Sequence, residues 1–298
     1  MLYNNLSGYL RAKYGKRMKK ICIDGGFCCP NRDGKCGTVG CIYCGERGAG
    51  EHIDPTLSIG EQVRAALSAA TADTLFIAYF QNFTNTYAPI QVLRERYDAA
   101  LIDPRIRILS VGTRPDCIDE EVCALLAEYS KTREVWVELG LQTSSDLTAD
   151  RINRGYHLDT FERAWGLLKK YSLKTVIHLI IGLPGEGDEE SRASAEYVAA
   201  LSPFGVKLHS IYVMRDTALA EMYRQNLYTP PTLDEYASRA AYALSVMPES
   251  VVIHRLTGDC PEGELVAPEW NKDKNKIIAH VNATLEGEGH RQGSRAKK

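Results

Sequence analysis

Long apolar runs are missing from this chain. Its most hydrophobic stretches, TLFIAYF and TVIHLII, are far too short to cross a bilayer. The amino-terminal MLYNNLSGYLRAKYGKR is not continuously apolar and meets basic residues early, so it resembles no secretory signal. No membrane association is expected. An excess of charge of one sign is also lacking: 36 Lys and Arg against 38 Asp and Glu leave a net charge of -2, which argues against a protein that is basic all over and grips nucleic acid generically. No fixed-period repeat, low-complexity tract or long Gly/Ser/Pro linker interrupts the chain before about Tyr228, which excludes a solenoid. The nine cysteines, spread unevenly over 298 residues, lack the dense pairing of a small secreted scaffold. That spacing points to a reducing cytoplasm with thiols available as ligands. The sequons at Asn5, Asn82 and Asn282 then carry no glycosylation meaning.

What is present is the alternation of an α/β protein, with a hydrophobic fraction of 44%. Short apolar runs at Thr74 to Phe80, Ile106 to Val111, Val135 to Leu141, Thr175 to Ile181 and Val206 to Val213 read as buried parallel strands. Between them lie helical stretches: Ser58 with Glu61 and Thr232 with Glu235 are spaced as capping boxes, and Phe161, Trp165 and Leu168 share one helical face. Strand-helix units of this length predict right-handed crossovers and a parallel sheet, open or closed into a barrel. Chemistry collects at the carboxyl ends of such strands, where QNFTNTY, GTRPDC, LQTSS, GLPGEG and MRDT all fall. Charge is unevenly placed: six Lys or Arg and no acid lie between Met1 and Ile23, and the tail ends in RQGSRAKK. Either end could meet phosphate, or be a solvated charge run.

The cysteines carry the sharpest signal. Cys41 and Cys44, in GCIYCGE, stand twelve positions beyond Cys29 in FCCPNRDG, and Pro30, Gly34, Gly37 and Gly40 let the loop fold back. Three thiolates can hold a metal centre that keeps one coordination position open for a reactant. Adding Cys36 gives four thiolates and a closed zinc site, so spacing alone leaves both readings open. Cys22, Cys117, Cys123 and Cys260 read as small buried hydrophobes. GLPGEG lacks the Lys and Ser/Thr of a nucleotide-hydrolysing loop and lies far from the first strand, which argues against a dinucleotide fingerprint.

DGGFCCPNRDG followed by GCIYC resembles the cluster loop of radical S-adenosylmethionine (SAM) enzymes, in particular the YtqA/YhcC-like family related to the elongator catalytic subunit. The likeness continues through YFQNFTNTYAP, SVGTRPDCI, WVELGLQT, INRGYH, HLIIGLPGE, GVKLHSIYV, HRLTGD and APEWNKDK, nearly the whole chain. It implies a partial or open (β/α)6 TIM-like barrel. A basic segment would occupy 1–18, the radical SAM core 19–228 with its cluster loop at 26–45, and a short carboxyl-terminal extension 229–298. By the resemblance Cys29, Cys41 and Cys44 bind a [4Fe-4S] cluster whose fourth iron takes SAM, and Cys28 and Cys36 drop out.

The same likeness assigns the SAM contacts. Gln142 takes the ribose and Arg154 the methionine carboxylate, with the planar guanidinium fork on both oxygens. Gln81 sits at the first strand end beside the methionine part, Thr113 among the cofactor contacts, and Tyr43 beside the adenine. Where some relatives carry carboxylates after the third strand and on the fifth, this chain has Gly112 and His178, the latter a ribose contact or a core histidine. Arg114, His209, His254 and Arg255 at strand ends are candidates to hold a substrate carboxylate or phosphate, or are scaffold ion pairs.

Iron-sulfur clusters can reach about -700 mV, the negative extreme that reductive cleavage of SAM needs, and such enzymes thereby release a 5'-deoxyadenosyl radical. The resemblance therefore implies a low-potential donor such as flavodoxin or ferredoxin, and tRNA as substrate through conversion of a wobble-uridine carboxymethylaminomethyl group to aminomethyl. A small molecule or peptide substrate, or a non-catalytic zinc-stabilised RNA-binding module, are the alternatives.

Overall fold

The computed structural model describes residues 2–48, 53–54, 56–261 and 263–296. Seven strands form one parallel sheet, curled into an open half-barrel. They are β1 (Met18–Ile23), β2 (Leu75–Phe80), β3 (Ile106–Thr113), β4 (Glu134–Gln142), β5 (Lys174–Ile181) and β6 (Gly205–Ser210), with a last strand from the carboxyl-terminal segment. After β6 the chain makes a two-residue strand, β7 (Val213–Met214), before β8 (Val252–Arg255) adds to the free edge of β6 and β9 (Leu265–Ala267) pairs antiparallel with β7. The spatial order β1 to β6 follows the chain, as right-handed crossovers dictate.

Two features depart from the sequence reading. Met18–Ile23 is a strand that the apolar runs do not reveal, so Gln81 follows the second strand of the sheet rather than the first. The run from Val206 breaks at Ser210, and Val213 belongs to the small antiparallel pair. The expected caps are present: Ser58 and Glu61 box the helix Ile59–Ser68, and Thr232 and Glu235 that of Leu233–Val246.

Outside the sheet, helices pack apolar faces on the strands. Phe161 and Leu168 of the helix Leu158–Lys170 are fully buried, as are Leu93 and Tyr97 of Ile90–Ala100. Inside, side chains form layers. At the amino-terminal end of the strands Ile77, Ile108, Trp136 and Val176 make an apolar floor, and the helix Leu6–Tyr14 closes it from below with Leu10 and Tyr9. Tyr9 and Tyr14 each donate to Glu134 at 2.6 Å. Lys13 and Lys174 pair with the same carboxylate at 2.6 Å.

This arrangement redirects the amino-terminal basic run. Lys13 is tied to Glu134, Lys16 lies 3.5 Å from Asp73, and Lys20 turns into the barrel. Arg11, Arg17 and Lys19 remain exposed, at the end of the barrel opposite the carboxyl-terminal loops. Of the basic tail, Lys297 and Lys298 lie outside the described residues. Among the described residues no helix is long and apolar enough to cross a membrane.

Candidate active site

The loop after β1 is held in shape by its own polar groups. Asn31, fully buried, donates to the Asn153 carbonyl at 2.6 Å and to Cys41 Sγ at 3.8 Å, and Asn153 returns a bond from Nδ2 to the Gly40 carbonyl at 2.7 Å. Arg32 gathers the carbonyls of Cys44, Gly45 and Glu46 at 3.1, 2.6 and 3.1 Å. Ile42 bonds through its N–H to Ile152 and through its carbonyl to Leu219 N–H, at 3.1 and 2.9 Å. The loop is thus anchored to the segment after β4 and to the helix Ala218–Arg224. Gly37 is needed for close approach: a Cβ there would lie 2.4 Å from Asn31 Oδ1.

One cavity of about 310 Å³ opens at this end of the barrel, and Cys29, Cys41 and Cys44 all line it. The Cys44 thiol bonds to Cys41 and draws the Cys41 thiol down to about 6 against burial, with help from Arg114, Tyr43 and Asn31, while Cys44 itself is pushed up by that bond and by burial. Cys36 is elsewhere: exposed, absent from the cavity wall, its Sγ 3.6 Å from Asp116 Oδ2. Among the described residues no group of three or more His, Cys, Asp or Glu gathers closely enough for one metal ion. Cys36 thus stands apart from the three cavity thiols, because the turn from Cys29 to Cys36 leaves its sulfur exposed.

Gln81, Thr113, Gln142, Arg154 and His178 join Tyr43 on the same wall. Gln142 adopts a left-handed backbone, φ 68°, where the β4–β5 register slips between Gly140 and Gln142; strain of this kind at a strand end is characteristic of sites built for binding. Thr113 shares its hydroxyl with Thr86 at 2.6 Å. Arg154 is largely committed to the backbone. Its Nε donates to the Tyr156 carbonyl at 3.0 Å and its Nη1 to the carbonyls of Leu141 and Thr143. Only Nη2, 3.7 Å from Asp146, is left without a hydrogen bond among the described residues, so the fork is not available to two carboxylate oxygens at once.

The four substrate candidates separate. Arg114 lines the cavity but chelates Asp116 at 2.9 and 2.8 Å and donates to the Arg154 carbonyl. His209 and Arg255 face the cavity; His209 Nε2 is buried without a partner among the described residues, and Arg255 reaches Asp259 at 3.3 Å. His254 does not reach the cavity. Its ring packs against Trp136 and Phe204 in the floor.

Above that floor lies a layer of which the motif reading singled out only His178: Lys20, Tyr79, Ser110, Glu138, His178 and Lys207. Glu138 accepts from Lys207 Nζ, from His178 Nε2 at 2.9 Å and from Ser110 Oγ at 2.7 Å, and Lys207 also donates to Tyr79 Oη at 3.1 Å. Despite burial, these partners hold Glu138 well below the usual carboxylate range. Burial pushes His178 down to about 4, so its ring is neutral near pH 7. The signal was in the sequence: a strand covered on both faces reads as an apolar run, and Glu138 in VWVELGL and Lys207 in GVKLHS interrupt one.

Comparison with known proteins gives matches along most of the chain. Residues 29–198 match the Radical SAM superfamily model and residues 203–287 the Radical_SAM C-terminal domain model. The uncharacterized protein YtqA of Bacillus subtilis is 34% identical over 295 residues, 98% of this chain and 92% of that one. A tRNA uridine(34) acetyltransferase of Methanocaldococcus jannaschii is 30% identical over 161 residues, 53% of this chain and 29% of its own length. Among solved structures, the archaeal Methanocaldococcus infernus Elp3 superposes with a TM-score of 0.68 at 23% identity; the match covers 79% of this chain and 60% of that one, and attests the fold. The likeness to YtqA runs the length of both proteins, and the family model covers the cysteine loop and the strands around it: this chain belongs to the radical SAM superfamily.

Proposed function

We propose that this radical SAM enzyme holds its cluster through Cys29, Cys41 and Cys44 and acts on the wobble uridine of tRNA, converting a carboxymethylaminomethyl side chain to aminomethyl. A [4Fe-4S] cluster and SAM are the cofactors of the family. The observation that carries the reading is a single cavity whose rim has three thiols from one loop and whose interior is ionisable. The donor set fits the cluster: Cys29, Cys41 and Cys44 all line one space, and Cys36, the other candidate ligand, is exposed outside it.

Bound there, the two cofactors supply a 5'-deoxyadenosyl radical able to take hydrogen from an unactivated C–H bond. The chain's own residues supply placement. Tyr43, half-buried beside Cys41, offers an aromatic edge to the adenine; Gln142 binds the ribose from its left-handed turn, and His178 flanks it as a neutral imidazole. Gln81 and Thr113, at the ends of β2 and β3, border the methionine part, and Arg154 contributes Nη2. The partial match to the tRNA uridine(34) acetyltransferase supports tRNA as substrate. The methylene between nitrogen and carboxylate suits hydrogen abstraction, because a radical there is stabilised from both sides. Return of one electron from that radical to the one-electron carrier that supplied the first, with loss of the N–H proton, would give an imine, and its hydrolysis would release glyoxylate and leave the amine. A small acidic protein such as flavodoxin or ferredoxin is the partner that delivers the electron.

Anaerobic reconstitution followed by measurement of 5'-deoxyadenosine, with and without tRNA bearing the carboxymethylaminomethyl group, tests the proposal. Release that rises with tRNA, together with aminomethyluridine in the digest, is expected. Release indifferent to tRNA sinks the tRNA reading and points to a small molecule or peptide. Iron retained in Cys36→Ser and lost in Cys29→Ser is the corresponding test of the ligand set.

A further inference from the structure

Closed α/β barrels fill their interior with layers of branched apolar side chains. This half-barrel does so only in its floor. The next layer holds three basic side chains and one carboxylate: Lys20 from β1, Lys207 from β6, which burial lowers to about 7, and Arg255 from β8, facing Glu138 from β4. His178 and His209, both neutral through burial, do not alter that count.

The pairing within the layer is unequal. Lys207 takes Glu138 as its ion partner, and Arg255 lies 3.3 Å from Asp259, which itself is shared with Lys274 at 2.5 Å. Among the described residues Lys20 makes no hydrogen bond or ion pair; its ammonium lies 5.3 Å from the centroid of the Tyr79 ring. An ammonium with no anion in contact is expensive to desolvate, and burial lowers the pKa of Lys20, only partly opposed by the more distant Glu138 carboxylate. His209 adds a second buried donor or acceptor with no partner, Nε2, on the same wall. These groups belong to the same cavity as the cysteine rim, so a substrate entering past the loop meets them last.

We infer that the ionisable layer above the barrel floor is an anion subsite, with Lys20, Lys207 and Arg255 binding the carboxylate of the substrate side chain. It rests on the proposed tRNA reading for the identity of the carrier, and extends it by assigning residues to the group that distinguishes substrate from product. A carboxylate seated among these three basic side chains would fix the adjacent methylene at a constant depth below the rim. The aminomethyl product, cationic and without a carboxylate, would be repelled by the same groups, which favours its release.

Binding to the cluster- and SAM-loaded protein tests the inference. The probes are three anticodon stem-loops carrying carboxymethylaminomethyluridine, its neutral amide, or aminomethyluridine. Wild-type protein is expected to prefer the carboxylate loop over the amide by about tenfold or more. Lys20→Met is expected to shrink that ratio below about twofold. Removing Lys20 strands no ion partner, and a Lys207→Met/Glu138→Gln double variant, which deletes both members of the other pair, guards against misfolding; iron content and melting temperature report on both. A ratio near one in wild type, or a full ratio in Lys20→Met, overturns the subsite. If no stem-loop binds, it is the tRNA reading that fails. N-ethylglycine and N-ethylglycinamide are then compared as inhibitors of 5'-deoxyadenosine release: stronger inhibition by the acid, lost in Lys20→Met, supports the subsite, and equal inhibition overturns it.

Discussion

Single side chains carry much of the site, and two of them make direct predictions. Asn31 joins the cysteine loop to Asn153 and donates to Cys41, so Asn31→Ala should cost about 1–3 kcal/mol in urea unfolding and lower the iron retained after reconstitution. Unchanged iron content and midpoint would show that the loop is held elsewhere. Glu138→Ala leaves Lys207 buried with no counter-charge, for which about 3–5 kcal/mol is expected, whereas Glu138→Gln keeps hydrogen-bond acceptors and should lose less. The cysteines, Tyr43 and Gln142 were legible in the sequence because each lies in a short contiguous motif. The commitment of Arg154 was not: its acceptors are backbone carbonyls at Leu141, Thr143 and Tyr156, and sequence does not disclose which carbonyls a fold leaves unpaired.

Among the elements, the helix Leu6–Tyr14 has the largest consequence for stability. Burial would raise the Glu134 carboxyl, but Lys13, Lys174, Tyr14 and Tyr9 outweigh that and hold it at about 2, against 4.5 for an ordinary glutamate. A depressed carboxylate contributes stability that is complete above the unfolded value and is lost as pH falls toward the folded one. Unfolding free energy should therefore decline between pH 4.5 and about 2. Glu134→Gln should flatten that decline in denaturant titrations; a parallel curve for the variant would remove Glu134 as its source. Five of the strands were legible as apolar runs. β1 was not, because its inward face carries Lys20 and Cys22, and β8 was not, because four residues become a strand only by pairing with β6 nearly fifty residues away.

For the whole molecule, the separation of the basic helix from the cavity mouth decides how a long nucleic acid would approach. Arg11, Arg17 and Lys19 face away from the rim, so their replacement by glutamate should leave tRNA affinity and its salt dependence unchanged, while Lys35→Glu in the cysteine loop should reduce the salt slope by about one. The opposite ranking in filter-binding titrations would place the RNA at the other end of the barrel. The order of folding follows from connections that bridge distant parts of the chain. Asn4 bonds to Gln292 at 2.7 Å and accepts from Ile253 at 2.8 Å, while Gln292 returns a bond to Leu2 at 2.9 Å. During synthesis, which runs from the amino terminus, residues 2–4 lack the last of these partners until residue 292 has left the ribosome. The helix that follows already has its seat on Trp136, Val176 and Glu134, so this late strap locks a closed end rather than making one.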